Sequence, residues 1–342
     1  MTRTTASIPV DLKNPGQVLA CVGFLDVAEV LLGSADAHFN WGSTTVQFVL
    51  AADGDRNPFE VVLDFLATAK VVELAPIGYV EGGAADGDDE GDDDAVPAAV
   101  EDESGEASDD PHEDVGDTPG RRATSVFPSG DGERNALPIQ LVNGVRALTV
   151  SHWADRSSRK DFKLYSGNRS ANRIATQMLQ GVRAKPKKGQ FVGDIKALGV
   201  SQLWQEQRDA LLEAPFDMVT SMGGSFNFDP RGAWTSIDAG YSPNTQKDGV
   251  AASPVVEMLA AIGLEHARPD EYEPRKVRYA VWGHPLPPML ARVALAGAEL
   301  KVPMRRFGFE LSGTKQSKIV TIAREEPSND DAGRRSHYLT AE

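Results

Sequence analysis

Residues Asn14 to Gly33 read NPGQVLACVGFLDVAEVLLG, and the fold turns on how this stretch is placed. Asn14 offers a side-chain oxygen to a helix start, Pro15 has its φ preset for a first turn, and Gly33 is a natural stop. The spacing predicts a helix from Pro15 through Leu32. Its apolar residues (Val18, Leu19, Val22, Leu25, Val27, Ala28, Leu31) wrap most of the way round. A helix apolar on nearly every side belongs inside a core. Gly23 costs it about 1 kcal/mol against alanine, and close packing is the reason to carry it.

Outward from this helix, Ile8 to Leu12 reads as a short first strand, and residues 44–51 alternate as a second. Residues 57–75 open with Asn57-Pro58 and read as an amphipathic helix. After Leu137, PIQLV and VRALTVSHW flank Asn143-Gly144, a hairpin signal. Residues 201–214 read as a helix capped by Ser201. Residues 221–244, rich in glycine and aromatics, read as loop and short strands on a surface. A helix follows Pro254, a strand covers 277–282, and His284 to Pro288 bends into another helix. MRRFGFEL and KIVTIARE read as closing strands. Helices and strands mix without a regular βαβ period, which predicts an α+β class: a mixed sheet with packed helices.

Composition divides the chain. The formal charge is −15, yet residues 81–120 hold 17 of the 50 acids and no Lys or Arg. Without them, 33 acids stand against 35 bases, so the rest is near neutral. Residues 81–135 have few large apolar side chains and read as a disordered acidic insert. The run DGDDEGDDD fails as a calcium loop, because position twelve after Asp86 is Pro97 instead of glutamate. The organisation read is an N-terminal α/β part (1–80), the insert (81–135), an α+β core with a basic segment (136–326) and a flexible tail (327–342).

The basic segment runs from Arg156 to Lys188 and holds ten Lys or Arg against one acid, Asp161. Asn168 to Gln180 reads as a helix capped by Asn168 and stopped by Gly181, about 20 Å long. Ala171, Ile174, Ala175 and Met178 form an apolar stripe, and Arg169, Arg173, Gln177 and Gln180 fall on another face. Backbone N–H groups at the Gly167–Asn168 start suit an anion, and a polyphosphate suits the whole arrangement. The plain alternative is a solvated helix face beside a basic loop.

Catalytic chemistry is not evident. Cys21 is the only cysteine, which excludes an intrachain disulfide and a cysteine zinc site. The six histidines form no H-x-H or H-E-x-x-H pair, and there is no P-loop or G-x-S-x-G. No cofactor and no metal are expected. The N-terminus does not read as a signal peptide and no run approaches 18 apolar residues, so the expected compartment is the cytoplasm, with no membrane partner.

Several blocks together resemble one family. NPGQVLACVGFLDVAEVL, FKLYSGNRSANRIATQML, FNFDPRGAWTSIDAGYSPN, SPVVEMLAAIGLEHARP and YAVWGHPLP resemble, in order, blocks of the CRISPR type I-U (I-G) Cascade subunit family named Csb-three or Cas-eight-u-two. The acidic insert departs from that family's pattern. The resemblance implies a non-catalytic large subunit of a crRNA-guided surveillance complex. Its partners would be crRNA, target DNA, the backbone and handle-binding subunits, and transiently a helicase–nuclease. It would help read the motif beside the target while the guide supplies sequence specificity. The matching basic helix then nominates Lys163, Arg169, Arg173 and Gln177 for backbone contacts, with Ser166, Gly167, Asn168 and Ser170 as phosphate donors. Arg156, Arg159, Lys160, Arg183, Lys185, Lys187 and Lys188 add electrostatic grip, and Asn227, Arg231, Trp234 and Tyr241 are candidates to stack on or read bases. For Phe226, Phe228 and Trp234 core packing is the favoured reading. Two alternatives stay open: a crRNA-processing ribonuclease using His152 or His284, and a protein–protein scaffold with a basic face.

Overall fold

The computed structural model describes residues 2–76, 121–124, 136–153, 162–165, 169–184, 186, 193–221, 224–232, 251–313 and 318–327. Its class is α+β. Strands β1 (Arg3–Pro9), β2 (Ala35–Asn40) and β3 (Gln47–Asp53) form an antiparallel sheet in the order β1-β3-β2, against which helix α1 (Pro15–Leu32) packs. The first strand thus begins earlier than residues 8–12, and β2 is an addition. The inward residues of β2 are Ala35, Ala37 and Phe39, so its period-2 signal is weak in the sequence.

Helix α2 (Pro58–Thr68) ends at Ala69, and the chain continues as strand β4 (Lys70–Pro76). The helix read over 57–75 is therefore too long. Val71 and Val72 are β-branched and pair with Leu141 and Gln140 of the next strands. That second sheet has the order β5-β4-β6-β7, with β5 (Arg121–Thr124), β6 (Ile139–Asn143) and β7 (Arg146–Val150). Strand β5 lies inside the stretch read as an acidic disordered insert and pairs parallel to β4, which corrects that reading for these four residues. The remainder of 81–135 lies outside the described residues. The β6–β7 hairpin forms as expected, but Asn143 pairs with Arg146, so its loop is Gly144-Val145. Gly144 alone has positive φ (56°), the pattern of a tight hairpin turn with glycine at its first central position.

Helix α3 (Ala171–Gln180), strands β8 (Val182–Arg183) and β9 (Ile195–Ala197), and helices α4 (Val200–Glu206) and α5 (Arg208–Glu213) follow. The helix read over 201–214 breaks at Gln207 and is capped at Gly199, whose N–H donates to Gln202 Oε1 at 2.9 Å. Strands β10 (Thr220–Ser221) and β11 (Ala251–Ala252) pair, and helix α6 (Pro254–His266) comes next. The third sheet contains β12 (Asp270–Glu273), β13 (Lys276–Trp282), β14 (Met304–Gly313) and β15 (Lys318–Val320) in that order. Strand β16 (Arg324–Glu325) also pairs with β14, and helix α7 (Pro288–Leu295) connects β13 to β14.

Helices α1 and α6 form the centre. A Cβ built on Gly16 would lie 3.0 Å from Val256 Cγ1, one on Gly23 would lie 2.1 Å from the Leu259 carbonyl oxygen, and one on Gly263 would lie 2.3 Å from the Leu19 oxygen. The contacts ascend together along both helices, so the two run parallel and touch backbone to backbone where glycine leaves room. One continuous apolar core then joins residues from Ile8 to Ala323. Tyr279 Oη donates to the Leu12 carbonyl in the turn before α1 at 2.5 Å, and Trp282 Nε1 donates to the Ala37 carbonyl of β2 at 2.7 Å, which fastens the third sheet to that turn and to the first sheet. By length and composition α1 could cross a membrane, contrary to the reading that no segment reaches that measure. Here 78% of it is buried within the protein, as its all-round apolar pattern predicted.

Candidate nucleic-acid interface

Helix α3 begins two residues later than Asn168 to Gln180 would give. Ser170 is its N-cap, with Oγ accepting the Arg173 N–H at 3.2 Å, and Asn168 lies outside the described residues. The expected stripe holds: Ala171, Ile174, Ala175 and Met178 are buried, and Leu179 joins them. They pack against α2, α4, α6 and β4. Arg173 and Gln180 are exposed on the other side and Gln177 is half-buried, so this face meets solvent with one cation and two amides. Among the described residues, α3 has no acidic residue in its first turn to neutralise Arg173.

Arg169 precedes the helix instead of riding on it. Its guanidinium lies against Gly224, where a Cβ would sit 2.3 Å from Arg169 Nη1, so the side chain braces the 224–232 loop. Lys163 is half-buried with its ammonium 5.3 Å from the Tyr165 ring centre, a cation–π distance. Arg183 is exposed, and its Nη1 donates to the Gly193 carbonyl at 3.4 Å. Arg156, Arg159, Lys160, Ser166, Asn168, Lys185, Lys187, Lys188 and Tyr241 lie outside the described residues, as do Gly167 and Trp234.

The loop read as a base-binding surface is instead an internal brace. Asn227 takes φ +68° and donates from Nδ2 to the carbonyls of Leu164 (3.2 Å) and Lys318 (2.9 Å), while Ser225 Oγ donates to its Oδ1. Its side chain is committed to the backbone on both sides of it, and the Leu164 carbonyl also accepts the Lys318 N–H at 2.8 Å. Arg231 is committed too: Nε and Nη2 donate to the buried Asp229 carboxylate at 2.7–3.1 Å, and Nη2 also reaches the Phe216 carbonyl. Neither residue is disposed to read bases. Phe226 and Phe228 are buried, Phe226 stacking on Trp153 at 5.4 Å between ring centres.

Sequence reasoning missed the polar node beneath this loop. Asp229 accepts from Asn14 Nδ2 (3.2 Å), the Ser253 N–H (3.2 Å) and Arg231, so one carboxylate sits where α1 and α6 both begin. Two helix N-termini favour that negative charge. Glu257 lies wholly inside α6, and its Oε1 accepts the N–H groups of Phe228 (3.1 Å) and Asp229 (2.7 Å). Burial pushes its carboxyl up to about 7, against the pull of those N–H donors. The available signal was an acid flanked by apolar residues within a helix, at Glu257 and likewise at Asp26.

The candidate bases for a ribonuclease differ. His152 is 2% exposed, and burial, aided by the Arg268 charge, lowers it to about 3. It is a neutral ring packed on Trp153 with no path to a substrate. His284 is exposed, with Nδ1 3.2 Å from the Pro285 carbonyl. Burial pushes the Cys21 thiol well above its usual range, which disfavours the nucleophilic thiolate. Among the described residues, no three His, Cys, Asp or Glu side chains are grouped to hold a metal ion. Compared with known proteins, this chain matches no protein-family model, no curated protein and no solved structure.

Proposed function

We propose that this protein is a non-catalytic, nucleic-acid-binding large subunit of a type I CRISPR crRNA-guided surveillance complex, acting in the cytoplasm. Helix α3 contacts the phosphate backbone of crRNA or target DNA through Arg173 and Gln177, with Lys163, Arg169 and Arg183 at its margins. The guide supplies sequence specificity, and the protein contributes grip and reading of the adjacent motif. Other Cascade subunits and a transient helicase–nuclease are its protein partners. One observation carries the reading: a helix anchored by a fully buried stripe presents Arg173 to solvent within a segment of ten bases and one acid. The sequence blocks that resemble the Csb-three family add the identity of the complex.

Two measurements test it. Protein tagged in its own cell and purified gently should carry RNAs of uniform length sharing one repeat-derived 5′ end. On duplex DNA, neutralising about five phosphates gives a log K against log salt slope near −4 to −5. Arg173→Ala should flatten that slope by about one unit with all sequences weakened alike. An unchanged slope would move the binding face away from α3, and RNA of random lengths would remove the crRNA assignment.

A further inference from the structure

Because α1 and α6 run parallel, their C-terminal ends also lie together, on the side of the molecule away from Asp229. A cavity of about 270 Å³ opens there, lined by Asp26 and Glu29 of α1, Glu265 and His266 of α6, Thr149 of β7 and Arg292 of α7. Both helices end with their negative dipole poles at this place. The α1 carbonyls of Val30 and Leu31 are partly met by Arg146, whose Nη1 reaches Val30 O at 2.8 Å.

The acids here are unevenly satisfied. Glu265 is fully used, accepting from the N–H groups of Ser151 and His152 and from Ser151 Oγ. Arg292 binds Asp26 through one oxygen only, Nη2 to Oδ1 at 2.8 Å. The other oxygen, Oδ2, is buried and has no hydrogen-bond partner, although Asp26 is only 5% exposed. A buried carboxylate oxygen without a donor costs free energy that an incoming donor would recover. Glu29 is exposed at the mouth, and burial and Arg292 hold His266 toward its neutral form. The cavity wants a cation.

Its rim wants apolar surface. Met289, Leu290 and Val293 share the outer face of α7, the helix that lends Arg292 to the cavity, and are 73%, 42% and 44% exposed, while Val30 of the cavity lining is 42% exposed. Exposed apolar side chains grouped beside a cleft mark contact surfaces.

We infer that this groove is the docking site of a protein partner. An apolar segment of that partner lies over Met289, Leu290, Val293 and Val30, and one Lys or Arg side chain enters the cavity toward Glu29 and the unpartnered Asp26 oxygen. Asp26, Glu29, Glu265 and the helix poles outweigh Arg292 and Arg146 here and disfavour phosphate, so the occupant is protein and not nucleic acid. The site is separate from α3, and the inference does not depend on the nucleic-acid reading.

The test places a photoreactive benzoylphenylalanine at exposed Val293 of the full-length tagged protein in its own cell, irradiates, and sequences the cross-linked peptide. The expected adduct is one peptide of another protein with a Lys or Arg beside apolar residues. Glu29→Arg should lower its yield at least tenfold and Glu29→Gln should lower it less, with the thermal midpoint of the protein unchanged. Leu290→Asp, a second exposed position, should also abolish it should Glu29→Arg disturb folding. No adduct, an adduct to nucleic acid or to this chain itself, a peptide lacking Lys and Arg, or a yield indifferent to Glu29→Arg would each overturn the inference.

Discussion

Replacing Gly23 by alanine tests the parallel helix pair directly. The new Cβ would lie 2.1 Å from the Leu259 carbonyl oxygen and 2.8 Å from its carbon, where ordinary contact begins near 3.4 Å. The helices must part locally by roughly 1.3 Å, and neither atom belongs to a flexible side chain. Overpacking of this kind costs about 1–3 kcal/mol, and a clash with helix backbone belongs at the upper end. Alanine returns about 1 kcal/mol of helix propensity. The net expectation is a loss of about 2 kcal/mol, or a fall of about 4–8 °C in thermal midpoint for an ordered part of this size. Urea and thermal unfolding followed by tryptophan fluorescence would read it through buried Trp153 and Trp282. Gly263→Ala should cost a similar amount, since its Cβ would meet the Leu19 oxygen at 2.3 Å and lie 2.8 Å from Gly23 N. Helices already parted by one alanine accommodate the second more easily, so the double variant should lose less than the sum by at least about 0.5 kcal/mol. A Gly23→Ala protein as stable as wild type, or more stable by its helix propensity, would refute the close backbone approach.

Asp229→Asn removes the charge that holds Arg231 and the starts of α1 and α6; a loss of about 3 kcal/mol is expected in the same unfolding assay, and a neutral result would mean the node is dispensable. Glu257 is raised from 4.5 to about 7 in the folded state, so that state binds the extra proton and stability falls as pH rises from about 4.5 to about 7. His152, lowered to about 3, works in the opposite direction between pH 3 and 6.5, and comparison with Glu257→Gln isolates the glutamate: wild type should lose stability relative to the variant across its window, and parallel pH profiles would contradict this.

What the sequence disclosed followed from how local the determinants were. Helices α1 and α6 were legible because Asn14-Pro15 and Ser253-Pro254 mark their starts and apolar residues fill their bodies. The α3 stripe was legible for the same reason, but its cap was not, because Asn168 and Ser170 are chemically equivalent candidates two residues apart. The α2–β4 boundary failed because Val71 and Val72 continue an apolar pattern that only pairing with β6 assigns to a strand. The misplaced site residues are more instructive. Asn and Arg read bases with the same donors that satisfy buried carbonyls and carboxylates, and only the positions of Leu164 O, Lys318 O and Asp229 decide the matter for Asn227 and Arg231. The partners of Asn227 lie 63 and 91 residues away, beyond any local pattern, whereas Asp229 is two residues from Arg231 and was there to be read.

The central helix pair also sets a timetable for synthesis. About 220 residues separate the end of α1 from the start of α6. A ribosome adding roughly 5–20 residues per second leaves α1 without its partner for about 10–45 s. During that interval a helix apolar enough to be taken for a membrane span has the first sheet and α2 to pack on but its α6-facing side uncovered, able to recruit a chaperone or a neighbouring nascent chain. The glycines that let the two helices meet so closely therefore make the finished core dense and its arrival late.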